Sequence, residues 1–295
     1  MFKILLPVDF SDSTATASQY ALALAAVVPD SQILLLHCSQ DYLAEGDMTI
    51  TPIDELTASE IVAERVLHRN EEEAQNQLEE LYLEMQNQNT KYVYPVLIER
   101  TFVHGLPGDK IPEQLQRYKA NLLVMGTKGE AGLMRSLFGT VATEIARNVA
   151  IPVLTVPENY TSTQLQKVLF ATDFDSEDVS SLATLQQFLH PFGASVVVAH
   201  ISDKGDKQED NQKLEVLKQN LEQTSNNSNI SYTLLKGDNV AEALQEFVQQ
   251  QNIDMIAVTA RKHEGLNALL RTNTVKNLIL HAPVPLLVFH SPEVS

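Results

Sequence analysis

A glycine-rich segment, GTKGEAGLMRSLFGT at residues 126–140, contains the residue types that can hold a phosphate group. It follows the apolar run Leu122–Met125 and precedes VATEIARN, which has the composition of a helix. Glycine has no Cβ, so backbone N–H groups can approach an anion closely. Gly139 and Thr140 stand where that helix would begin, and a helix N-terminus offers free N–H donors and a favourable dipole for phosphate. The segment is therefore either a phosphate-binding loop or a glycine-rich turn between a strand and a helix.

Two other nucleotide-binding motifs are absent from the sequence. The glycine segment does not contain GxxxxGK[ST], the pattern of a Walker A loop. No GxGxxG follows the first apolar run, so dinucleotide binding has no support.

Short apolar runs alternate with helical patterns along the whole chain. In the first half they predict strands at 3–8, 32–37, 92–98, 121–125 and 152–156, helices at 13–28, 58–88, 110–118 and 140–149, and a loop at 39–57. In the second half they predict strands at 167–171, 195–200, 230–235, 253–258 and 285–289. The runs are nearly continuous in Leu, Ile and Val, which is typical of strands buried on both faces of a parallel sheet. We therefore predict an α/β fold with two tandem, open, parallel five-stranded sheets and helices on both faces.

The second half of the chain repeats the first. ILLPVDFSDS (4–13) resembles VLFATDFDSE (168–177), QILLLHCS (32–39) resembles SVVVAHIS (195–202), and ANLLVMG (120–126) resembles IDMIAVT (253–259). The period is too long for a solenoid, so it indicates a duplicated domain. We predict a first domain at 1–157, a polar linker at 158–166 and a second domain at 167–295.

The charge of the chain is strongly acidic and unevenly distributed. The 295 residues carry a net charge of −17, which argues against nucleic acid as a partner because phosphate backbones need compensating Lys and Arg. Residues 41–84 hold 13 acidic and 2 basic side chains, whereas residues 100–147 hold 7 basic and 4 acidic ones. The basic stretch surrounds the glycine segment, where it would attract an anion. The alternative is an ordinary solvated surface.

The sequence also predicts a cytoplasmic protein without a membrane partner. The N-terminal apolar run is too short for a signal peptide and is interrupted by Asp9. No apolar run approaches the ~20 residues that a membrane span needs. Cys38 is the single cysteine, so the chain has no internal disulfide, which suits a reducing compartment.

The spacing within the glycine segment resembles the ATP-binding signature of the universal stress protein family, G-x2-G-x9-G-[ST]. Gly126, Gly129, Gly139 and Thr140 meet it without a gap. PVDFS after the first predicted strand and LLHCS in the second also resemble the family. Because the resemblance covers both halves, the sequence is identified as a tandem universal stress protein with a Rossmann-like fold.

The resemblance implies a role for each matching residue. It assigns the adenosine side of the site to Pro7, Asp9, Cys38, Met125 and Gly126, with Cys38 contacting the base through its backbone. It assigns the phosphates to Gly129, Gly139, Thr140 and Val141. The implied ligand is ATP, with AMP or ADP as alternatives, bound together with Mg²⁺. No catalytic residue and no metal-ligating residue is implied.

Most of these residues also have a purely structural interpretation. Asp9 would be favoured at a helix N-terminus by the dipole alone, and Ser11 would suit an N-cap. Cys38 would be a small buried hydrophobe rather than a reactive thiol. His37 and His200 end apolar strands, where hydrogen-bonded structural histidines are common, and their spacing does not suggest a metal.

The second half departs from the signature. An ungapped alignment places Thr259, Lys262, Thr272 and Asn273 at the motif positions, so all three glycines are lost. Asp173 still matches Asp9. This half either binds nothing or uses the basic cluster at 261–263 for another anion.

Three functions remain as alternatives: an ATP-binding stress or signalling protein, a slow ATPase or phosphotransferase, and an interaction module without nucleotide. The absence of a clear general base favours binding over turnover. The resemblance also implies that the fifth strands, 152–156 and 285–289, pair within one chain. Further association into a homodimer is left open.

Overall fold

The computed structural model describes residues 1–39, 58–127, 145, 149–202, 207–224, 229–237, 239–260, 278–279 and 281–290. The strands are β1 (Lys3–Pro7), β2 (Gln32–Ser39), β3 (Leu97–His104), β4 (Leu122–Thr127), β5 (Val153–Pro157), β6 (Lys167–Ala171), β7 (Ser195–Ser202), β8 (Ile230–Lys236), β9 (Met255–Ala260) and β10 (Leu286–His290). The helices are α1 (Asp12–Ala25), α2 (Ala58–Asn89), α3 (Pro107–Tyr118), α4 (Ser176–Leu189), α5 (Lys207–Thr224) and α6 (Val240–Gln251). Within these ranges no helix is long and apolar enough to cross a membrane.

The ten strands within the described residues belong to one sheet, in the order β3-β2-β1-β4-β5-β10-β9-β6-β7-β8. Each half contributes five parallel strands, and the fifth strands of the two halves, β5 and β10, pair antiparallel at the centre of the sheet, with Leu154 opposite Leu287. The predicted α/β fold of two five-stranded parallel sheets is therefore confirmed. The two sheets continue into each other rather than standing apart.

The hydrophobic core lies on both faces of the sheet. Along β1, Ile4 and Leu6 belong to the core on one face, whereas Leu5 belongs to the core on the other. All three are fully buried. Successive side chains of a strand point to opposite faces, so the uninterrupted apolar runs reflect helices covering both sides.

The segment between β5 and β6 is packed against both halves of the chain. The Tyr160 ring lies 5.8 Å from the Tyr20 ring of α1, in an edge-on arrangement. Its hydroxyl donates to the backbone carbonyl of Asp254 at 3.1 Å. The Thr16 hydroxyl of α1 donates to the carbonyl of Glu158 at 2.8 Å. These contacts tie the connecting segment to α1 on one side and to the start of β9 on the other.

The predicted position of the third strand, 92–98, was wrong, because β3 begins only at Leu97. The apolar residues YVYPVL at 92–97 suggested a strand, but Pro95 has no N–H to donate to a neighbouring strand. The Asn89 side chain instead brackets Val96, donating to its carbonyl at 2.7 Å and accepting from its N–H at 2.9 Å. These two hydrogen bonds fix the turn between the end of α2 and the start of β3.

Candidate functional site

The candidate site lies where the strand order reverses. From β1 the sheet continues to β2 and β3 on one side and to β4 and β5 on the other. In open α/β sheets, ligands bind beyond the carboxyl ends of the strands at such a switch point. The structure places Pro7, Asp9, Cys38, Met125 and Gly126 at the carboxyl ends of β1, β2 and β4. The other four predicted residues, Gly129, Gly139, Thr140 and Val141, lie outside the described residues.

The Asp9 carboxylate is held in place by the first turn of α1. Its Oδ1 accepts hydrogen bonds from the Ser11 N–H at 3.1 Å, the Ser11 hydroxyl at 2.5 Å and the Thr14 hydroxyl at 2.6 Å. Ser11 occupies the N-cap position of α1 but makes no side-chain capping bond, so its hydroxyl orients Asp9 instead. Among the described residues, no donor reaches Oδ2. Asp9 is thus an oriented carboxylate with one oxygen available to a ligand.

Gly126 allows the first turn of α1 to pack directly on the end of β4. A Cβ at this position would lie 2.3 Å from the Ser13 carbonyl oxygen and 2.5 Å from its carbonyl carbon. The Ser13 hydroxyl in turn lies 2.8 Å from that of Ser11, which contacts Asp9. Asp9, the first turn of α1 and Gly126 therefore form one continuous cluster. Met125 beside them is fully buried, and its side chain packs in the core.

His37 stabilises the turn between β1 and α1. Its Nδ1 lies 2.9 Å from the Val8 carbonyl oxygen, and its ring stacks on Phe10 at 4.6 Å. Phe10 has a φ of 60°, a conformation that bulky residues rarely adopt. The second half repeats the arrangement, with Phe174 at a φ of 60° beside His200 at 4.1 Å. These contacts agree with the structural interpretation of both histidines.

Stability should depend on pH through His37. Burial lowers the pKa of His37 below its ordinary value, so the unfolded chain takes up this proton more readily than the folded one. The stabilisation is fully present above the ordinary pKa of about 6.5 and is lost as pH falls towards the folded-state pKa. In the variant His37→Gln, the glutamine side chain does not titrate in this pH range, and its amide can still donate a hydrogen bond to the Val8 carbonyl. We expect wild type to lose stability relative to this variant as the pH falls from about 7.5 to 5.5, measured by the midpoints of urea unfolding. A difference in midpoint between the two proteins that does not change with pH would contradict this role of His37.

Cys38 is a half-buried thiol with little nucleophilic character. Burial raises the pKa of Cys38 to about 12, although the nearby Lys110 ammonium acts in the opposite direction. At neutral pH the side chain is therefore a neutral thiol rather than a reactive thiolate. Any role in binding falls to its backbone, as the resemblance implies.

Lys110 is a cation near the site that the sequence interpretation did not single out. It lies in the first turn of α3, and its stem packs on Gly105 so closely that a Cβ there would lie 2.8 Å from Cε. Gly105 has a φ of 128°, which only glycine adopts readily. The Lys110 ammonium pairs with Glu113 at 2.8 Å. In the sequence Lys110 was one of several basic residues, and nothing local linked it to the end of β2.

In the second half, the turn after β6 is built around a buried carboxylate. Asp178 of α4 occupies the position that Thr14 has in the first half, and it is fully buried. It accepts hydrogen bonds from the Thr172 hydroxyl at 2.7 Å and the Asp173 N–H at 3.0 Å. The carboxylate that fixes this turn therefore belongs to the helix rather than to the strand end.

A second carboxylate covers the end of β7. Asp210 of α5 accepts a hydrogen bond from the Ser202 hydroxyl, and its Oδ1 lies 3.8 Å from His200 Nε2. At the end of β9, Thr259 replaces Gly126 and is fully buried. The ends of β6 and β7 therefore carry two carboxylate side chains, Asp178 and Asp210, and Lys213 of α5 lies near Asp210. In the described part of the chain, no group of three or more His, Cys, Asp or Glu side chains is arranged to hold a metal ion.

The chain resembles several known proteins over its full length or over half of it. Two universal stress proteins of Methanocaldococcus jannaschii are 29% and 24% identical over 157 residues, which is 52% of this chain and 81% and 93% of theirs. The solved structure of a universal stress protein from Archaeoglobus fulgidus has a TM-score of 0.69 at 18% identity, covering 98% of both chains. A structure from Pseudomonas aeruginosa described as a putative universal stress protein has a TM-score of 0.55 at 13% identity, covering 98% of this chain and 92% of the other. The two structures share the fold.

The model of the universal stress protein family matches residues 1–157 and again residues 164–290. The two matches together span nearly the whole chain and coincide with the two five-stranded halves of the sheet. The chain therefore belongs to the universal stress protein family and is of the tandem type.

Proposed function

We propose that the first half of the chain binds ATP, with ADP or AMP as alternative occupants, and that the second half binds no nucleotide. The observation that carries this proposal is the cluster at the switch point. There, Asp9 is fixed through one carboxylate oxygen, and Gly126 leaves no side chain between β4 and the first turn of α1. The protein would then act as a nucleotide-responsive stress or signalling protein.

The adenosine side is the better supported part of this proposal. The available Oδ2 of Asp9 is suited to accept a hydrogen bond from a ribose hydroxyl, because a carboxylate is a strong acceptor. The backbone at Cys38 would meet the adenine edge, and the neutral thiol adds no charge there. Pro7 and Met125 are buried beside these groups. Oriented polar groups bordered by apolar side chains are typical of small-molecule sites.

The phosphate side is proposed from the sequence signature. Gly129, Gly139, Thr140 and Val141 would supply backbone N–H groups and a hydroxyl to the phosphates. The surplus of basic residues at 100–147 favours an anion in this region. Mg²⁺ would be held chiefly by the phosphates, because this ion keeps several of its waters and is usually bound through substrate phosphates.

A binding role rather than turnover follows from the side chains near the site. His37 Nδ1 faces the Val8 carbonyl, and Asp9 Oδ1 accepts three hydrogen bonds from the first turn of α1. The remaining oxygen of Asp9, Oδ2, is assigned here to a ribose hydroxyl, so we do not propose it as a base for an attacking water. Binding alone can transmit a signal, because a ligand at 100 times its dissociation constant stabilises the bound state by ~2.7 kcal/mol.

Asp9→Asn tests the proposal at a single atom. Asparagine keeps an oxygen to accept from Ser11 and Thr14 but replaces the available Oδ2 with an amide that cannot accept. We expect the affinity for MgATP to fall about tenfold in isothermal titration calorimetry, with little change in thermal stability of the free protein.

Asp173→Asn is the matched control, since Asp173 has the same place in the second half. It should leave MgATP affinity unchanged. If Asp9→Asn bound MgATP as tightly as wild type, or if Asp173→Asn lost as much affinity as Asp9→Asn, the proposal that only the first half holds a nucleotide site would be refuted.

A further inference from the structure

An exposed apolar segment lies at one edge of the ten-stranded sheet, where α2 turns into β3. Its exposed side chains are Tyr92, Val93, Tyr94 and Leu97; Val93 is 87% exposed and Leu97 is 52% exposed. We call these four residues, together with the exposed Glu99, the edge patch. Contiguous exposed apolar residues on a soluble domain commonly mark an interaction site.

Among the described residues, the outer backbone of β3 beside the edge patch is not paired with another strand. β3 is the first strand in the sheet order, and in the described part of the chain no strand pairs with its outer side. The Leu97 N–H donates to the Ser31 carbonyl, and the Gly105 N–H donates to the Ser39 carbonyl. In a parallel ladder this register directs the odd-numbered backbone groups to β2 and the even-numbered ones, such as those of Arg100, outwards. Such an edge is a template for an added strand.

Charge around the edge patch selects a basic occupant. Glu99 follows Leu97 on the same face of β3, because alternate residues share a face. On the opposite face, Arg100 is already engaged, lying 4.1 Å from the Tyr82 ring and pairing with Glu79. α2, which covers that face, carries further exposed carboxylates at 72, 73, 80 and 84. An incoming strand would therefore meet negative charge on both sides of the sheet.

The opposite edge of the sheet shows that the fold does not require this patch. β8 occupies the place of β3 in the second half, and the strand registers make Asn229 the counterpart of Leu97 and Ser231 the counterpart of Glu99. No large hydrophobic residue of β8 is exposed. At the two compared positions, the β3 edge therefore carries an apolar and an acidic side chain, whereas the β8 edge carries two neutral polar ones, Asn229 and Ser231.

We propose that β3 binds an extended segment of another protein as an additional strand, and that this segment alternates basic with aliphatic side chains. Backbone pairing with β3 would supply affinity, and contacts to Leu97 and Glu99 would supply specificity. A second copy of this chain is a poor occupant, because its net charge is −17 and two acidic α2 helices would meet across the joint. This surface is independent of the proposed nucleotide site.

The test uses the full-length protein and a fluorescein-labelled peptide of alternating Lys and Val, about eight residues long. Fluorescence anisotropy should show binding that weakens as salt is raised from about 50 to 300 mM. The double variant Leu97→Asn with Glu99→Ser, which copies the β8 edge, should weaken binding about tenfold. The reverse pair on β8, Asn229→Leu with Ser231→Glu, should not weaken binding, because it leaves β3 unaltered. Amide exchange at Arg100 and Phe102 should slow on binding, whereas exchange at Leu97 and Glu99 should not.

Three results would overturn the proposal. The first is no binding of the Lys-Val peptide to a folded protein. The second is equal binding of a peptide whose alternate nitrogens are methylated, since that peptide cannot complete the ladder. The third is a concentration-dependent dimer that Leu97→Asn dissociates, seen by light scattering; it would assign the edge patch to a second copy of the chain.

Discussion

Gly126→Ala is expected to lower the free energy of unfolding by about 3 kcal/mol. The new methyl group would lie 2.3 Å from the Ser13 carbonyl oxygen, which belongs to the backbone of α1 and cannot rotate away as a side chain could. Relief requires the first turn of α1 to move off β4. That turn carries Ser11 and Thr14, so its movement would also disturb Asp9 and weaken nucleotide binding. Urea unfolding and calorimetric titration with MgATP measure the two effects separately.

Gly108→Ala is the matched control for Gly126→Ala. Gly108 lies in the first turn of α3, and a Cβ there would meet nothing within 4 Å. Because alanine favours a helix over glycine by up to about 1 kcal/mol, this variant should be as stable as wild type or more so. Equal stability of the Gly126 and Gly108 variants would show that α1 does not pack on β4 as closely as described.

Asp178→Ala is expected to destabilise the second half of the chain by about 3 kcal/mol. The buried carboxylate accepts from the Thr172 hydroxyl and from the N–H groups of Asp173 and Asp175. Alanine would leave these donors without their acceptor in a protected site, and desolvation makes that unfavourable. Asp178 also completes the capping box of α4 with Asp175, so the start of the helix would loosen as well.

Urea unfolding checks the prediction for Asp178, with Asp12→Ala as the control. Asp12 is an exposed carboxylate in the first turn of α1, and its effect should stay within about 0.5 kcal/mol. Asp178→Asn keeps one acceptor oxygen and should fall between wild type and alanine. A loss for Asp178→Ala no larger than that for Asp12→Ala would contradict the role given to the buried carboxylate.

Periodicity and motif spacing predicted much of the fold. The ends of the first and fourth strands were predicted to within two residues, at 8 and 125 against Pro7 and Thr127, because their apolar runs stop there. The duplicated α/β architecture follows from the internal repeat. The third strand was misplaced because the prediction relied on the apolar residues around Pro95 and disregarded the fact that proline has no N–H to donate to a sheet. In the structure β3 is an edge strand. Edge strands contain more polar residues than buried strands, so β3 lacks the continuous apolar run by which the other strands were predicted.

The contacts within the candidate site could be predicted only in part. The resemblance implied that Asp9 faces the ligand, but not that Ser11 would orient Asp9 instead of capping α1. It did not imply that Lys110 would lie near the end of β2, because that contact depends on how α3 packs rather than on sequence spacing. In the second half the lost glycines predicted a departure from the signature. The carboxylate of Asp210 at the end of β7 depends on tertiary packing and has no local signal.

The most direct test of the central claim is the nucleotide content of the purified protein. The protein is isolated without added nucleotide and denatured, and the released small molecules are separated by chromatography and identified by mass spectrometry. The variant Gly129→Glu, which adds a charged side chain to the proposed phosphate loop, is treated in the same way. We predict about one adenine nucleotide per chain in wild type and none in the variant, as expected for a single site in the first half. Two nucleotides per chain would contradict an empty second half, and none, with no thermal shift on adding MgATP, would contradict nucleotide binding altogether.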